Sequence, residues 1–216
     1  MSNGDGYAKG RAKRREIIDH AVALFGEVGY RGASLREIAA RSGISHPGLL
    51  HHFPTKESLL LAVLAHRDEV DGESLSKEAT TGTDALRRLV DLVSLNATRR
   101  GIVELFAVLS AEATSPDHPA HAFFVERYRN AVEAAELTYA QVRDEGRLRP
   151  GIDPGAAARQ LVALMDGLQV QWLLDDRVTD MAGVVGAHID AQLTVPLLAT
   201  PWREPEQPGG QTERPY

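Results

Sequence analysis

The 216-residue chain contains no cysteine. That absence excludes a disulfide framework, a thiolate zinc site and a cysteine nucleophile, and it leaves the redox compartment unencoded. Long apolar runs are missing too. No stretch approaches the ~20 apolar residues of a membrane span, and the opening MSNGDGYAKGRAKRR is polar and then basic, unlike a signal peptide. A soluble, cytoplasmic protein with no membrane partner is the expectation. Almost no segment alternates apolar and polar residues as a half-buried strand does. No H-E-x-x-H string, G-x-S-x-G elbow, Walker A loop or dinucleotide fingerprint occurs, so the sequence implies no cofactor and no enzyme of the classes those motifs mark.

Positive charge is in deficit overall, with a formal net charge of −6, but the deficit is not even. Residues 1–56 hold nine Lys and Arg against five Asp and Glu, a balance of +4, which leaves fifteen against twenty-five, or −10, for residues 57–216. A small basic head on an acidic body offers phosphates one attractive surface while the rest repels them.

What the chain does have is helical periodicity from end to end, which predicts an all-α fold. Ile17, Ile18, Ala21, Val22, Leu24 and Phe25 recur at helical spacing, so a first helix is expected from about Lys9–Arg11 to the Gly29 region. Ser34-Leu35-Arg36-Glu37 reads as a capping box, with the Ser34 hydroxyl accepting the Glu37 N–H and the carboxylate reaching back. A short helix, Leu35 to about Arg41, follows with Leu35, Ile38 and Ala39 on one stripe, and Gly43 supplies a sharp turn. Ser45 then caps a second short helix that begins His46-Pro47 and is stopped at Phe53 by Pro54. Thr55 caps a longer helix through Leu59, Leu60, Val63 and Leu64. Helix, glycine turn, short helix and connecting helix in this order make a helix-turn-helix.

Further helices are expected at 56–78, 84–99, 102–113, 119–145, 155–175 and 180–199, with Asp153-Pro154 as a cap followed by a first-turn proline. The tail from Thr200 holds four of the eleven prolines and is expected to be disordered. The organisation is then a disordered basic arm (1–10), a helix-turn-helix domain (11–56), a helical body (57–199) and a tail (200–216).

The stretch SLREIAARSGISHPGLLHHFPTKESLL resembles the tetracycline-repressor (TetR/AcrR) family, and the resemblance covers roughly residues 11–64, including the glycine turn, Leu49 and Phe53, and Lys56. It implies an N-terminal three-helix helix-turn-helix domain followed by a larger helical ligand-binding and dimerisation domain. It also implies a homodimer built mainly from the last two helices, a double-stranded DNA operator and a small-molecule effector. With Ile44, Leu49 and Phe53 buried, the other face of the second short helix is left for DNA, and Ser45, His46, Pro47, Gly48, His51 and His52 lie on or near it. His46 is placed to meet a base edge and Gly48 to let the backbone approach. Ser34 and Arg36 come from the preceding helix start, where Arg36 has the fork for a guanine or a phosphate. Lys56, beside a helix N-terminus, is a candidate phosphate anchor. Many family members carry an aromatic at the position of Leu50, which cannot make the corresponding polar contact. Lys9, Arg11, Lys13, Arg14 and Arg15 form a basic segment suited to the DNA backbone or minor groove.

In the body, Phe124 and Tyr128 share one helix face and Met165, Gln169 and Trp172 another, so a ligand pocket is expected between those helices, with Phe106 as a further candidate. Leu161, Leu164, Met165, Leu168 and Trp172, with Val184, Val185, Ile189 and Leu193, are the apolar residues expected to build a four-helix dimer interface. Two rival readings remain. His118 and His121, at i and i+3 with Glu112 and Asp117 nearby, would suit a helical metal-dependent enzyme, although no recognised ligand string surrounds them. An architectural DNA binder without effector is the other.

Overall fold

Helical periodicity becomes helix throughout the computed structural model, which describes residues 3–76, 82–175 and 179–197. Among these the elements are α1 (Asn3–Gly32), α2 (Leu35–Arg41), α3 (His46–His52), α4 (Lys56–Ser76) and α5 (Gly82–Asn96). There follow α6 (Arg100–Glu112), α7 (His121–Asp144), α8 (Pro154–Leu174) and α9 (Met181–Gln192). No strand forms among the described residues; a single isolated antiparallel bridge joins Leu148 and Leu193. The expected tail from Thr200 lies outside the described residues, as do residues 77–78 and 198–199 of two expected helices.

Local chemistry sets most boundaries. The Asp153 carboxylate accepts the Ala156 N–H at 2.8 Å, capping α8 ahead of Pro154 as the sequence predicts. Two ends differ. The first helix runs back to Asn3 instead of starting near Lys9, because no proline interrupts Asn3–Lys9 and elongation adds a hydrogen bond per residue. The last helix stops at Gln192, short of the expected 199. There the chain straightens at Leu193, the Thr194 N–H donates to the Arg147 carbonyl at 2.8 Å, and the Arg149 N–H donates to the Gln192 carbonyl at 2.9 Å.

The capping box expected at Ser34 is only half made. The Ser34 hydroxyl accepts from Arg36 N–H at 3.2 Å, and the Glu37 carboxylate turns to Arg41 at 2.8 Å, because Arg41 also binds both carboxylate oxygens of Glu27 on α1. A reciprocal box forms one helix later. Thr55 Oγ1 accepts the Ser58 N–H at 3.0 Å and Ser58 Oγ accepts the Thr55 N–H at 3.1 Å.

Two apolar cores result. The first joins Ile17, Leu24 and Phe25 of α1 to Ile38, Leu49 and Phe53, and does not stop at residue 56. Leu59, Leu60, Val63 and Leu64 of α4 belong to it, as do Leu105 and Leu109 of α6. The second is built by α5, α7, α8 and α9 around Tyr139, whose hydroxyl donates to Gln192 Oε1 at 2.5 Å. Six of the residues expected to face a second chain, Leu161, Leu168, Trp172, Val185, Ile189 and Leu193, are buried in this core. The outward stripe of α8 is instead Ala163, Gly167, Val170 and Leu174, at helical i, i+4, i+7, i+11 spacing; Val170 is 50% and Leu174 83% exposed.

Candidate DNA interface and interior cavity

The turn between α2 and α3 is Ser42-Gly43-Ile44. Gly43 sits at φ 65 with open space where a Cβ would stand, a left-handed conformation that other residues adopt only with strain. Ser42 is buried and its hydroxyl donates to the Ile38 carbonyl at 2.8 Å, while Lys13 of α1 donates to the Ser42 carbonyl at 3.3 Å. The turn is thereby held from both sides. Leu49 is fully buried and Phe53 is 2% exposed, which fixes the rotation of α3. Ser45 caps it through the Gly48 N–H at 3.2 Å. A Cβ at Gly48 would lie 3.2 Å from that same Ser45 oxygen, so Gly48 serves the cap from within as well as leaving room outside.

With α3 so oriented, Ser45, Pro47 and His51 are exposed and His46, Gly48 and His52 half-buried, alongside exposed Ser34 and Arg36 at the start of α2. Eight of the nine candidate DNA residues are thus exposed or half-buried at the starts of α2 and α3 or along α3. Lys56 is different. Its ammonium lies 4.6 Å from the centroid of the Tyr30 ring and donates to the Arg31 carbonyl at 3.3 Å, and burial lowers its pKa. It ties α4 to the end of α1. The basic segment is also more packed than expected: Arg14 lies over the Phe53 ring at 4.7 Å, Lys13 pairs with Glu16, and Arg11, Arg14 and Arg15 border a groove against α4.

Behind this surface, α1 meets α6. The chain passes Gly29 at φ 70, ψ 177, and the next N–H, of Tyr30, donates to the Glu112 carboxylate at 2.7 Å. His118 stands 3.6 Å from the same carboxylate and edge-on to Tyr30 at 5.1 Å. His118 Nδ1 accepts the Ala120 N–H at 3.2 Å, so a neutral ring carries its proton on Nε2. Burial holds its pKa below the ordinary histidine value, and the Glu112 charge opposes that shift. His121 Nδ1 lies 2.8 Å from the Ala113 carbonyl. The Nδ1 atoms of both rings thus face backbone groups. Among the described residues no group of three or more His, Asp or Glu is arranged to hold a metal ion.

Below α4 lies a cavity of about 560 Å³ walled by α4, α5, α6, α7 and α8. Phe106, Tyr128, Met165 and Gln169 line it. Phe124 and Trp172 do not. Phe124 packs edge-on against Phe106 and Phe123 in the first core, and Trp172 is buried in the second core beneath Arg100, whose guanidinium is 5.4 Å from the ring. Each is displaced along its helix beyond an end of the cavity.

The cavity also holds charged groups that were not expected from the sequence. Arg67 and Asp68 enter from α4, Arg127 from α7 and Asp166 from α8. Arg127 bonds Asp68, and the guanidinium groups of Arg67 and Arg127 both lie 4.5 Å from the Phe106 centroid. Burial raises the pKa of Asp166, a shift that the neighbouring Tyr128 hydroxyl and Arg127 oppose, and burial pushes the Tyr128 hydroxyl up to about 12. A signal existed for Arg67: it continues the buried 60, 63, 64 stripe of α4, a core position where an apolar residue belongs.

No helix among the described residues is long and apolar enough to cross a membrane. Residues 17–63 match the family described as bacterial regulatory proteins, tetR family, and residues 82–194 match the C-terminal domain of BetI-type transcriptional repressors. The HTH-type transcriptional repressor KstR2 of Rhodococcus jostii is 29% identical over 59% of this chain, which spans only 55% of that relative's length. The HTH-type transcriptional regulator Mb3439c of Mycobacterium bovis is 30% identical over 73% of this chain and 70% of its own. Among solved structures, AibR in complex with isovaleryl coenzyme A and operator DNA superimposes with a TM-score of 0.66 at 28% identity, covering 81% of this chain and 96% of AibR.

Proposed function

The chain belongs to the TetR family of bacterial regulatory proteins, and from that premise we propose that it is a homodimeric, effector-controlled repressor of the cytoplasm that holds a pseudo-palindromic DNA operator. The observation that carries this reading is α4. Its first residue, Lys56, is bound to the end of α1 beside the helix-turn-helix, and Arg67 and Asp68, about 16–18 Å further along the same helix, form part of the cavity wall. One rigid element thus touches both the DNA head and the cavity. An effector that binds more tightly to one setting of α4 shifts the spacing of the two heads in a dimer, and one that binds both settings equally shifts nothing.

In this reading Arg36 and His46 read bases, Ser34, Ser45, Pro47, Gly48, His51 and His52 position the head on the backbone, and Lys56 exchanges its Arg31 carbonyl for a phosphate. The helix-turn-helix unit of 11–56 shares its core with α4 and α6, so head and body move as coupled parts. Phe106, Tyr128, Met165 and Gln169 contact the effector. The outward stripe Ala163, Gly167, Val170 and Leu174 of α8, with exposed Ala187 and Ala191 of α9, forms the face for a second copy. AibR, solved in complex with isovaleryl coenzyme A and operator DNA, supports the pairing of a small molecule and DNA on one fold. The test is a titration of operator duplex with purified protein. Two chains per duplex, with affinity lost in His46→Ala, is the expected result; one chain per duplex contradicts the proposal.

A further inference from the structure

We infer that the cavity takes an elongated apolar molecule bearing an uncharged hydroxyl, which donates to Asn96 Oδ1 while the apolar body runs along α7 toward Thr138. This rests on the cavity being the effector site. Asn96 is the last residue of α5, only 7% exposed, and part of the cavity wall. Its Oδ1 is buried, and no donor among the described residues reaches it. The turn after α5 does not use this side chain. It is closed by main-chain bonds, the Ala97 N–H donating to the Val93 carbonyl at 3.1 Å and the Arg99 N–H to the Asn96 carbonyl at 2.9 Å. Buried amide oxygens are nearly always hydrogen-bonded, so one that borders a cavity and takes no part in its own turn is an acceptor kept for a ligand.

The helix packing puts this acceptor at one end of the cavity. The start of α5 is held to the end of α7, where the Gly82 N–H donates to Gln141 Oε1 at 3.0 Å and the Thr83 hydroxyl donates to Glu145 Oε2 at 2.5 Å. Both helices then line the cavity, over residues 85–96 and 127–138, a length of about 16 Å each. They run antiparallel along it, so Asn96 falls toward the start of α7. Just beyond Asn96, Arg100 donates to the Leu173 carbonyl at the end of α8 at 2.9 Å. That bond places Asn96 on the side of Gln169 and away from Leu161.

The opposite end is apolar. Leu86 of α5, Ala134 and Ala135 of α7 and Leu161 of α8 line it. Thr138 closes the row with its hydroxyl already given to the Ala134 carbonyl at 2.9 Å. The volume of about 560 Å³ accommodates a small elongated molecule that spans both ends. At the Asn96 end a hydroxyl fits better than an ion, because the acceptor is an uncharged amide and an ion would shed its hydration to reach it. A hydrocarbon or an ether of the same size would leave Oδ1 without a donor.

The experiment titrates the full-length protein by calorimetry with octanol and its isomer heptyl methyl ether, which have the same composition but only in the alcohol an O–H. Octanol is expected to bind about tenfold more tightly. Asn96→Leu is expected to bring the two probes to equal affinity while keeping ether binding. The comparison on the unaltered protein stands even if this variant fails to fold. Equal affinity of the isomers, tighter binding of the ether, binding of neither, or a preference that persists in folded Asn96→Leu overturns the inference. Operator affinity with and without octanol is a separate readout. Octanol bound with the expected preference but without effect on the operator would count against the cavity as effector site, whereas equal binding of the isomers counts against the ligand class.

Discussion

Gly29→Ala separates the backbone conformation at the head–body junction from the contact made there. At φ 70, ψ 177 the residue occupies a region essentially reserved for glycine, and a Cβ would stand 2.3 Å from Glu112 Oε1. The backbone strain is worth ~1–3 kcal/mol. If the carboxylate yields instead, the charged hydrogen bond it accepts from Tyr30 N–H is lost, at ~1.5–3 kcal/mol. These responses partly replace one another, so the expected loss is ~2–4 kcal/mol, a fall in Tm of about 5–15 °C for a chain of this size. Gly43→Ala is the control: its φ of 65 is also left-handed, but a Cβ there meets nothing within 4 Å, so only ~1–2 kcal/mol of strain remains. Thermal unfolding at one fixed protein concentration ranks the two. The decisive measurement is the double mutant with Glu112→Ala, in which the added methyl no longer meets a carboxylate. Coupling of ~1 kcal/mol or more between positions 29 and 112 is expected. Additivity, or a Gly29→Ala loss no larger than that of Gly43→Ala, refutes the reasoning.

Arg36→Ala and His46→Ala should each cost ~1–3 kcal/mol on the best operator and relax preference at one symmetric pair of positions; an equal loss on every sequence would make them phosphate anchors. Val170→Asp places a charge on the outward stripe of α8 and should give monomers by light scattering, with no change expected in far-UV circular dichroism; a persistent dimer would move the interface elsewhere. Burial holds the His118 pKa below 6.5, so as pH falls from about 6.5 the unfolded chain takes up a proton that the folded protein refuses. The stability His118 contributes above that pH is lost as pH drops through the lowered folded value, and His118→Gln should flatten the decline in urea midpoint between about pH 7 and 5. An unchanged slope would assign the decline to other groups. Tyr128→Phe and Gln169→Leu should leave operator affinity nearly unchanged while weakening the effector response, each removing a hydrogen bond worth ~0.5–1.5 kcal/mol; loss of both functions together would make them folding residues.

The head was legible in the sequence because its constraints are local. Gly43 must take a left-handed φ, Ser45 must cap a helix that opens with Pro47, and Pro54 must end it, so the turn and the buried Leu49 and Phe53 follow within twenty residues. The capping box failed for a reason of tertiary origin: Glu37 has a better partner in Arg41, which is fixed by Glu27 from another helix. The body was legible as helices but not as faces. Leu168, Trp172 and Ile189 have the spacing of an interface stripe and of a core stripe alike, and only packing against α5 and α7 decides between them. The charged wall of the cavity was missed because Arg67, Asp68, Arg127 and Asp166 come from three helices, and nothing in any one segment shows that they meet. The partners of Lys56 were not legible either, because its contacts with the Tyr30 ring and the Arg31 carbonyl join positions 25 or more residues apart.

Selection of bound duplexes from random DNA by the intact protein reports directly whether the head reads a two-fold operator. Two inverted half-sites are expected, about 34–36 Å or a whole multiple of one helical turn apart, with the enriched bases where Arg36 and His46 of each chain enter the major groove. Binding that enriches no sequence, with an affinity set by salt alone, would contradict it and make the protein an architectural DNA binder.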